Sequence, residues 1–229
     1  MEKQFDVIVV GAGNGGLAAA ANTAKAGLKT LLLEKHNIPG GCATSFRRGR
    51  FEFEPSLHEL CSVGTADRPD VVYKVFDDLG AKPNWAYETG HLFRAIVKGE
   101  DGYDVHLDAG IEGFCDSVEA AVPGCRENVK AFVMLKQKID AAIAYIYEMK
   151  GKPKGLTMLT KHTDFMRVAG HSVEEVMTAM GIPKKAQNMI NTYWGYLGVP
   201  TDELNCMHFL NMLYGYMVDG AAMPKHRSH

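Results

Sequence analysis

Short apolar runs open the chain. Longer stretches follow in which apolar positions recur every three or four residues. The run Phe5-Asp6-Val7-Ile8-Val9-Val10 is rich in β-branched residues and predicts a strand buried on both faces. Gly11-Ala12-Gly13-Asn14-Gly15-Gly16 ends it, and an alanine-rich helical pattern runs from Leu17 to Ala26, where Gly27 stops it. Lys29-Thr30-Leu31-Leu32-Leu33 reads as a second buried strand ending on Glu34. Further on, Pro69 to Leu79 reads as a helix closed by Gly80. Leu92 to Val97 and Tyr103 to Leu107 read as two strands around Gly99-Glu100-Asp101-Gly102. Asp108 to Val122 is a helix, Pro123-Gly124 a turn, and Arg126 to Met149 a long amphipathic helix. In that helix Val129, Phe132, Val133, Lys136, Ile139, Ile143 and Ile146 fall mostly at helical spacing. Gly151-Lys152-Pro153-Lys154-Gly155 breaks it. Ser172-Val173-Glu174-Glu175 forms a capping box for a helix ending at Gly181. Pro183 suits the first turn of the next, and Thr201-Asp202-Glu203 suits the start of a third, through Leu204, Phe209 and Leu213.

The opening thirty residues carry chemistry as well as pattern. Strand, G-x-G-x-x-G turn, helix, strand and acid occur in the order of a dinucleotide-binding unit. Gly11 permits the tight turn, Gly13 lets backbone approach a pyrophosphate, and Gly16 lets the helix pack closely on the strand. Gly13, Asn14, Gly15 and Gly16 then stand at a helix N-terminus, whose N–H groups and dipole favour phosphate. Glu34 lies where a carboxylate accepts from ribose hydroxyls. After it comes Lys35-His36-Asn37-Ile38-Pro39-Gly40-Gly41-Cys42-Ala43, a forced loop whose N–H groups can also reach a dinucleotide.

With Gly40-Gly41 placed six and seven residues past the acid, the sequence resembles the FAD-dependent phytoene desaturase and amine oxidase superfamily. The stretch Arg48 to Leu60, with Phe53, Glu54, Ser56 and His58, is similar to a segment of its carotenoid isomerase and retinol saturase branch. The resemblance implies FAD as cofactor, with Glu34 on the adenosine ribose, Gly13, Asn14, Gly15 and Gly16 facing the pyrophosphate, and Gly11 among the cofactor-binding residues. It implies that Lys35, Gly41, Cys42 and Ala43 line the cofactor, and that Leu57 and His58 lie nearer the isoalloxazine. Cys42 stands where many amine oxidase relatives have arginine, Glu54 replaces an aspartate and Ser56 a glycine. His58 is open between a flavin-side acid or base and a hydrogen-bonding packing residue. The strand pair, Pro-Gly and long helix follow the family's order to about residue 150. The implied fold class is α/β: a Rossmann-like FAD/NAD(P)-binding sheet, N-terminal part only, with a mainly helical substrate domain. The boundary is expected near residue 65, giving segments 1–65 and 66–229.

Composition narrows the partners. The 229 residues carry a net charge of −2, which gives no reason to expect nucleic acid. No apolar run reaches the ~18 residues of a membrane span, and the N-terminus enters the first strand without a signal peptide. Five cysteines without C-x-x-C spacing fit reduced thiols in a cytoplasmic protein, and the nine histidines show no ligand spacing, so no metal is expected. Nine of twelve methionines fall from Met158 onward, interleaved with Tyr193, Trp194, Tyr196, Tyr214 and Tyr216. They suit either a helical core or an adaptable apolar pocket. Lys150, Lys152 and Lys154 form a basic loop, more simply a solvated turn than a peripheral membrane contact.

Only two strands clearly belong to the parallel sheet, and such sheets need more. A truncated form is therefore expected, whose sheet is completed by a second chain or a missing C-terminal half. The polar end, Met223 to His229, is expected to close nothing. The leading expectation is an FAD-dependent oxidoreductase that desaturates, reduces or isomerises an elongated apolar unsaturated substrate, an isoprenoid or lipid. No residue stands out as its acid–base catalyst. The alternatives are an NAD(P)-dependent dehydrogenase, against which Gly40-Gly41 argues, and a non-catalytic nucleotide-binding or interaction module with an open sheet edge.

Overall fold

The structure, a computed structural model, describes residues 4–56, 59–88 and 90–225. The chain forms two compact units, Met1–Glu88 with Ala221–His229, and Thr89–Gly220. The change of character near residue 66 falls inside the first unit.

The first unit begins with β1 (Val7–Val10), α1 (Asn14–Lys25) and β2 (Thr30–Leu33). β1 and β2 pair in parallel, Val7 with Thr30 through Val10 with Leu33. The α1 helix starts three residues earlier than its apolar pattern suggests, because Gly13 already has extended N-cap geometry at φ −74° and ψ 176°. Gly27, at φ +84°, closes it: its N–H donates to Ala24 O, and that of Leu28 to Thr23 O.

Burial of these strands departs from expectation. Only one face is covered, the one on which Val9 Cγ1 lies 3.6 Å from where a Gly16 Cβ would stand. The opposite face leaves Ile8 57%, Val10 81% and Leu33 47% exposed. The two-sided burial read from the β-branched run is thus absent, since among the described residues β1 and β2 form a two-stranded sheet.

The unit continues with a hairpin, β3 (Phe46–Arg48) and β4 (Phe51–Phe53), then α2 (Val71–Asp78) and β5 (Trp85–Glu88). The hairpin was not foreseen. Its Phe46 and Phe53 rings stack at 5.0 Å across a non-loop ladder position, and Gly49 turns at φ +60°. Asp70 caps α2 by accepting from Val71 N–H at 2.7 Å.

The second unit begins with the antiparallel pair β6 (His91–Val97) and β7 (Tyr103–Asp108). Helices α3 (Ile111–Ala121) and α4 (Arg126–Glu148) follow, then α5 (Gly155–Lys161), α6 (Thr163–Val168), α7 (Val173–Ala179), α8 (Lys184–Ile190) and α9 (Cys206–Asp219). The α4 stripe is buried at Val129, Phe132, Val133 and Ile139, with Leu135 and Ala142 added, but Ile143 is 37% exposed. Phe114, Phe209, Leu210 and Leu213 complete this core. Met158, Met177, Met189 and Met217 are buried within the unit, which favours the core reading of the methionine-rich segment.

Ser172 and Glu175 make the expected capping box at 2.9 and 3.2 Å. The last helix starts later than expected: residues 201–203 form a turn, and Asn205 is the N-cap, accepting from Met207 N–H at 3.0 Å. The end of the chain also departs from expectation. Ala221–Pro224 forms β8, antiparallel to β5, so Met223 and Pro224, the start of the stretch expected to close nothing, pair in a sheet of the first unit; residues 226–229 lie outside the described residues.

Glu119 of α3 organises the start of α4. Its carboxylate accepts from the N–H groups of Gly124 (2.7 Å), Cys125 (2.9 Å) and Arg126 (2.8 Å). The Gly124 and Arg126 bonds hold its pKa below the ordinary 4.5. Folding therefore favours the carboxylate, and its stabilisation is complete above 4.5 and lost as pH falls through the lower folded value. Urea denaturation of Glu119→Gln should show a lower midpoint than wild type at neutral pH and a shrinking difference as the pH is lowered. A difference independent of pH would show that the carboxylate charge is not what holds the α4 N-terminus.

Candidate functional site

The glycine turn, the acid and the second glycine loop meet around one buried residue, Ala12, which is 1% exposed. Its N–H donates to Glu34 Oε2 at 2.6 Å, and its carbonyl accepts from Gly40 N–H at 2.6 Å. Glu34 Oε1 accepts from His36 N–H at 2.9 Å. Those two bonds, His36 first and Ala12 second, hold the Glu34 carboxyl below its ordinary value, so it is an anion. Each oxygen keeps a lone pair, and the side chain is exposed beside the turn.

The glycines have separable tasks. Gly11 turns at φ +98°, and its N–H donates to Leu33 O at 2.7 Å, tying the turn to the end of β2. A Cβ on Gly16 would stand 1.8 Å from Gly11 O, so the helix can approach the turn only without one. Gly13 lies against the second loop: it forms a parallel bridge with Gly40, and a Cβ on Gly41 would sit 3.0 Å from Gly13 Cα. A Cβ on Gly15 would meet nothing within 4 Å. The α1 N-terminus has no side-chain cap and no acid in its first turn, so its N–H groups face outward unmasked. These features fit a dinucleotide: an open cradle, free amides for phosphate, and an anionic acceptor for ribose.

Lys35 and Asn14 are exposed beside this turn in sequence. Gly41–Ala43 forms a 3-10 turn, with Cys42 exposed and Ala43 buried. Ser56 Oγ donates to Cys42 O at 3.1 Å, and Thr44 Oγ1 to Pro39 O at 2.8 Å, fixing both sides of the loop. Leu57 and His58 lie outside the described residues. Sequence reasoning missed Ala12 and Thr44. Nothing marked Ala12 beyond its small size.

A further cavity, of about 390 Å³, is lined wholly by the second unit, with Leu135, Val168, Val176 and Met180 on its apolar side. Its acids are already engaged, Asp164 with Lys138 at 2.6 Å and Glu175 with His171 at 3.1 Å. Among the described residues, no group of three or more His, Cys, Asp or Glu could hold a metal ion.

This turn, acid and double-glycine loop define a Rossmann-type dinucleotide-binding protein. A family profile described as an NAD(P)-binding Rossmann-like domain matches residues 9–79. The chain is 24% identical over 233 residues to human all-trans-retinol 13,14-reductase, covering 97% of this chain and 37% of that protein. It is 46% identical over 52 residues to a chloroplastic prolycopene isomerase of an Oncidium hybrid cultivar, covering 23% of this chain and 9% of that one. In fold it is similar to putrescine oxidase, with a TM-score of 0.56 at 20% identity over 96% of this chain and 46% of that one. The chain is thus similar in sequence to retinol reductases and, over a short stretch, to prolycopene isomerases, and it shares the fold of putrescine oxidase. It spans little more than a third of the length of the retinol reductases it matches, 37% for the human one.

Two substitutions separate Gly16, whose missing Cβ the turn requires, from Gly15, which has open space around it. Gly16→Ala should lower the stability of the first unit by about 1–3 kcal/mol in urea denaturation and remove dinucleotide binding with it. Gly15→Ala should leave stability within about 0.5 kcal/mol while weakening dinucleotide binding. Equal effects of the two on stability would contradict the assignment.

Proposed function

We propose that the chain supplies the FAD-binding site of an oxidoreductase that desaturates, reduces or isomerises an elongated apolar, unsaturated molecule. The observation that carries this reading is the clamp on Ala12, which brings Glu34 and Gly40 onto the glycine turn. The N–H groups of Asn14, Gly15 and Gly16 would hold the pyrophosphate, and Glu34 the adenosine ribose. Lys35, Gly41, Cys42 and Ala43 would border the cofactor. When bound, FAD supplies the acceptance and return of a hydride or electron pair that such chemistry needs. The residues of this chain orient it and keep its phosphates paired.

The docked Gly40-Gly41 loop favours FAD over a nicotinamide dinucleotide. It adds a second backbone segment to the phosphate side of the turn, beyond what the fingerprint alone requires. The retinoid and carotenoid named for the relatives support an apolar substrate. The reading also needs further polypeptide against the Ile8, Val10 and Leu33 face, since a cofactor beside an open sheet is poorly walled.

Titration of the purified chain with FAD, NAD and NADP tests it, by flavin absorbance retained on gel filtration and by calorimetry. FAD should bind saturably but weakly, and the nicotinamide dinucleotides more weakly still. Glu34→Gln, which keeps an acceptor for Ala12 but loses the charge, should weaken FAD by about tenfold. Preference for NADP would favour the dehydrogenase reading. Stoichiometric, tightly held FAD in this chain alone would contradict the need for further polypeptide.

A further inference from the structure

The cavity of about 390 Å³ in the second unit shares no residue with the dinucleotide site. Asp164, Arg167 and Val168 reach it from one face of α6, at the three- and four-residue spacing that brings helical side chains together. Val176 and Ala179 reach it from α7, Met180 from the C-cap of that helix, and Leu135 from α4. Its walls are fixed by backbone bonds. Asn205 Nδ2 donates to Ala169 O at 2.9 Å, Cys206 N–H to His171 O at 3.0 Å, and Val173 N–H to Leu204 O at 2.9 Å. These tie the α6–α7 connection to the segment that starts α9. The Lys138–Asp164 ion pair, at 2.6 Å, ties α4 to α6. The cavity is therefore preformed, and its volume lies in the range of small-molecule sites.

Leu135, Val168 and Val176 are buried and give the cavity a closed apolar side. The charged side chains around it are not equivalent. Asp164 is neutralised by Lys138. Glu175 accepts from Ser172 N–H at 2.9 Å and lies 3.1 Å from His171 Nδ1. Those two contacts, Ser172 first, hold its carboxyl below the ordinary carboxylate range. Arg167 differs from both acids. Among the described residues its guanidinium has no hydrogen-bond or ion-pair partner. A guanidinium presents parallel N–H donors whose spacing matches the two oxygens of a carboxylate.

The geometry points to this cavity as a binding site for a monocarboxylate with an apolar body, its carboxylate on Arg167 and its body against Leu135, Val168 and Val176. The body exchanges water for buried aliphatic surface, and the head group is paired instead of being desolvated alone. The two acids set the charge that the head group can carry. A single negative charge is matched by the one uncommitted cation of the cavity. A doubly charged phosphate would feel Asp164 and Glu175 more strongly than a carboxylate does, with no further cation to offset them. A cationic head would meet Arg167 and two carboxylates that already have partners. The site does not rest on the FAD reading, and no redox step is assigned to it.

Calorimetric titration of the full chain with decanoate, decanol and decyl phosphate tests this. Decanoate should bind saturably, and decanol about tenfold more weakly, because it lacks the charge that Arg167 pairs. Decyl phosphate should bind no more tightly than decanoate. Arg167→Gln should lower decanoate affinity about tenfold and leave decanol unchanged. Ala179→Phe, which fills the cavity from an exposed position of α7, should weaken both ligands with an unchanged urea midpoint. Equal affinity for decanoate and decanol, decanoate binding that Arg167→Gln leaves intact, or no saturable binding of decanoate would each overturn the proposal. Tighter binding of decyl phosphate would assign a phosphate site and overturn the carboxylate class. Binding that survives Ala179→Phe would place the ligand on another apolar surface and overturn the site. The FAD titration of the same chain is a separate readout, so failure of one reading leaves the other standing.

Discussion

The backbone of Ala12 is the constraint on which the first unit's site depends. A buried N–H or C=O left unpaired costs about 1–3 kcal/mol, and Ala12 is 1% exposed. Its two polar groups are paired by Glu34 and Gly40, both beyond the glycine turn in sequence. The acid is thereby turned back over the turn instead of pointing along the strand. The second glycine loop is likewise drawn onto Gly13, where its own lack of Cβ becomes a requirement. Three motifs separated along the chain become one rigid constellation through two hydrogen bonds.

The sheet beneath that constellation is open. Ile8, Val10 and Leu33 lie on one face, because Ile8 pairs with Leu31 and Val10 with Leu33 in the parallel register. Burying side chains of this kind stabilises by roughly 1.5–3 kcal/mol each, so the face is a substantial unused source of stability. Its apolar character is the physical reason to expect polypeptide against it. In the second unit the long α4 is packed by α3, α6 and α9 around fully buried phenylalanines.

Local signals were legible in the sequence and pairings between distant segments were not. The G-x-G-x-x-G turn, the Ser172–Glu175 capping box and the α4 stripe are each written within a few residues, so their geometry could be read directly. The burial of β1 could not. A β-branched run reports what a strand is suited to, not which of its faces has a neighbour. The β3–β4 hairpin was hidden because Phe46, Phe51 and Phe53 alternate with arginines and a glutamate over only three residues a side. The pairing of β5 with β8 joins residues more than a hundred positions apart, and Ala221-Ala222-Met223-Pro224 has little strand propensity of its own. In the site, Glu34 and the glycines were found by spacing. Ala12 was missed because its role lies in its backbone, which any small residue could have supplied.

Amide hydrogen exchange at Ala12 and Gly40 measures the clamp directly. In the wild-type chain both amides should exchange at least about a hundredfold more slowly than those of Asn14, Gly15 and Gly16. Glu34→Ala, which removes the acceptor, should bring Ala12 toward the rate of its exposed neighbours while leaving the amides of β2 protected. Fast exchange at Ala12 in the wild-type chain, or protection unaltered by Glu34→Ala, would contradict the account.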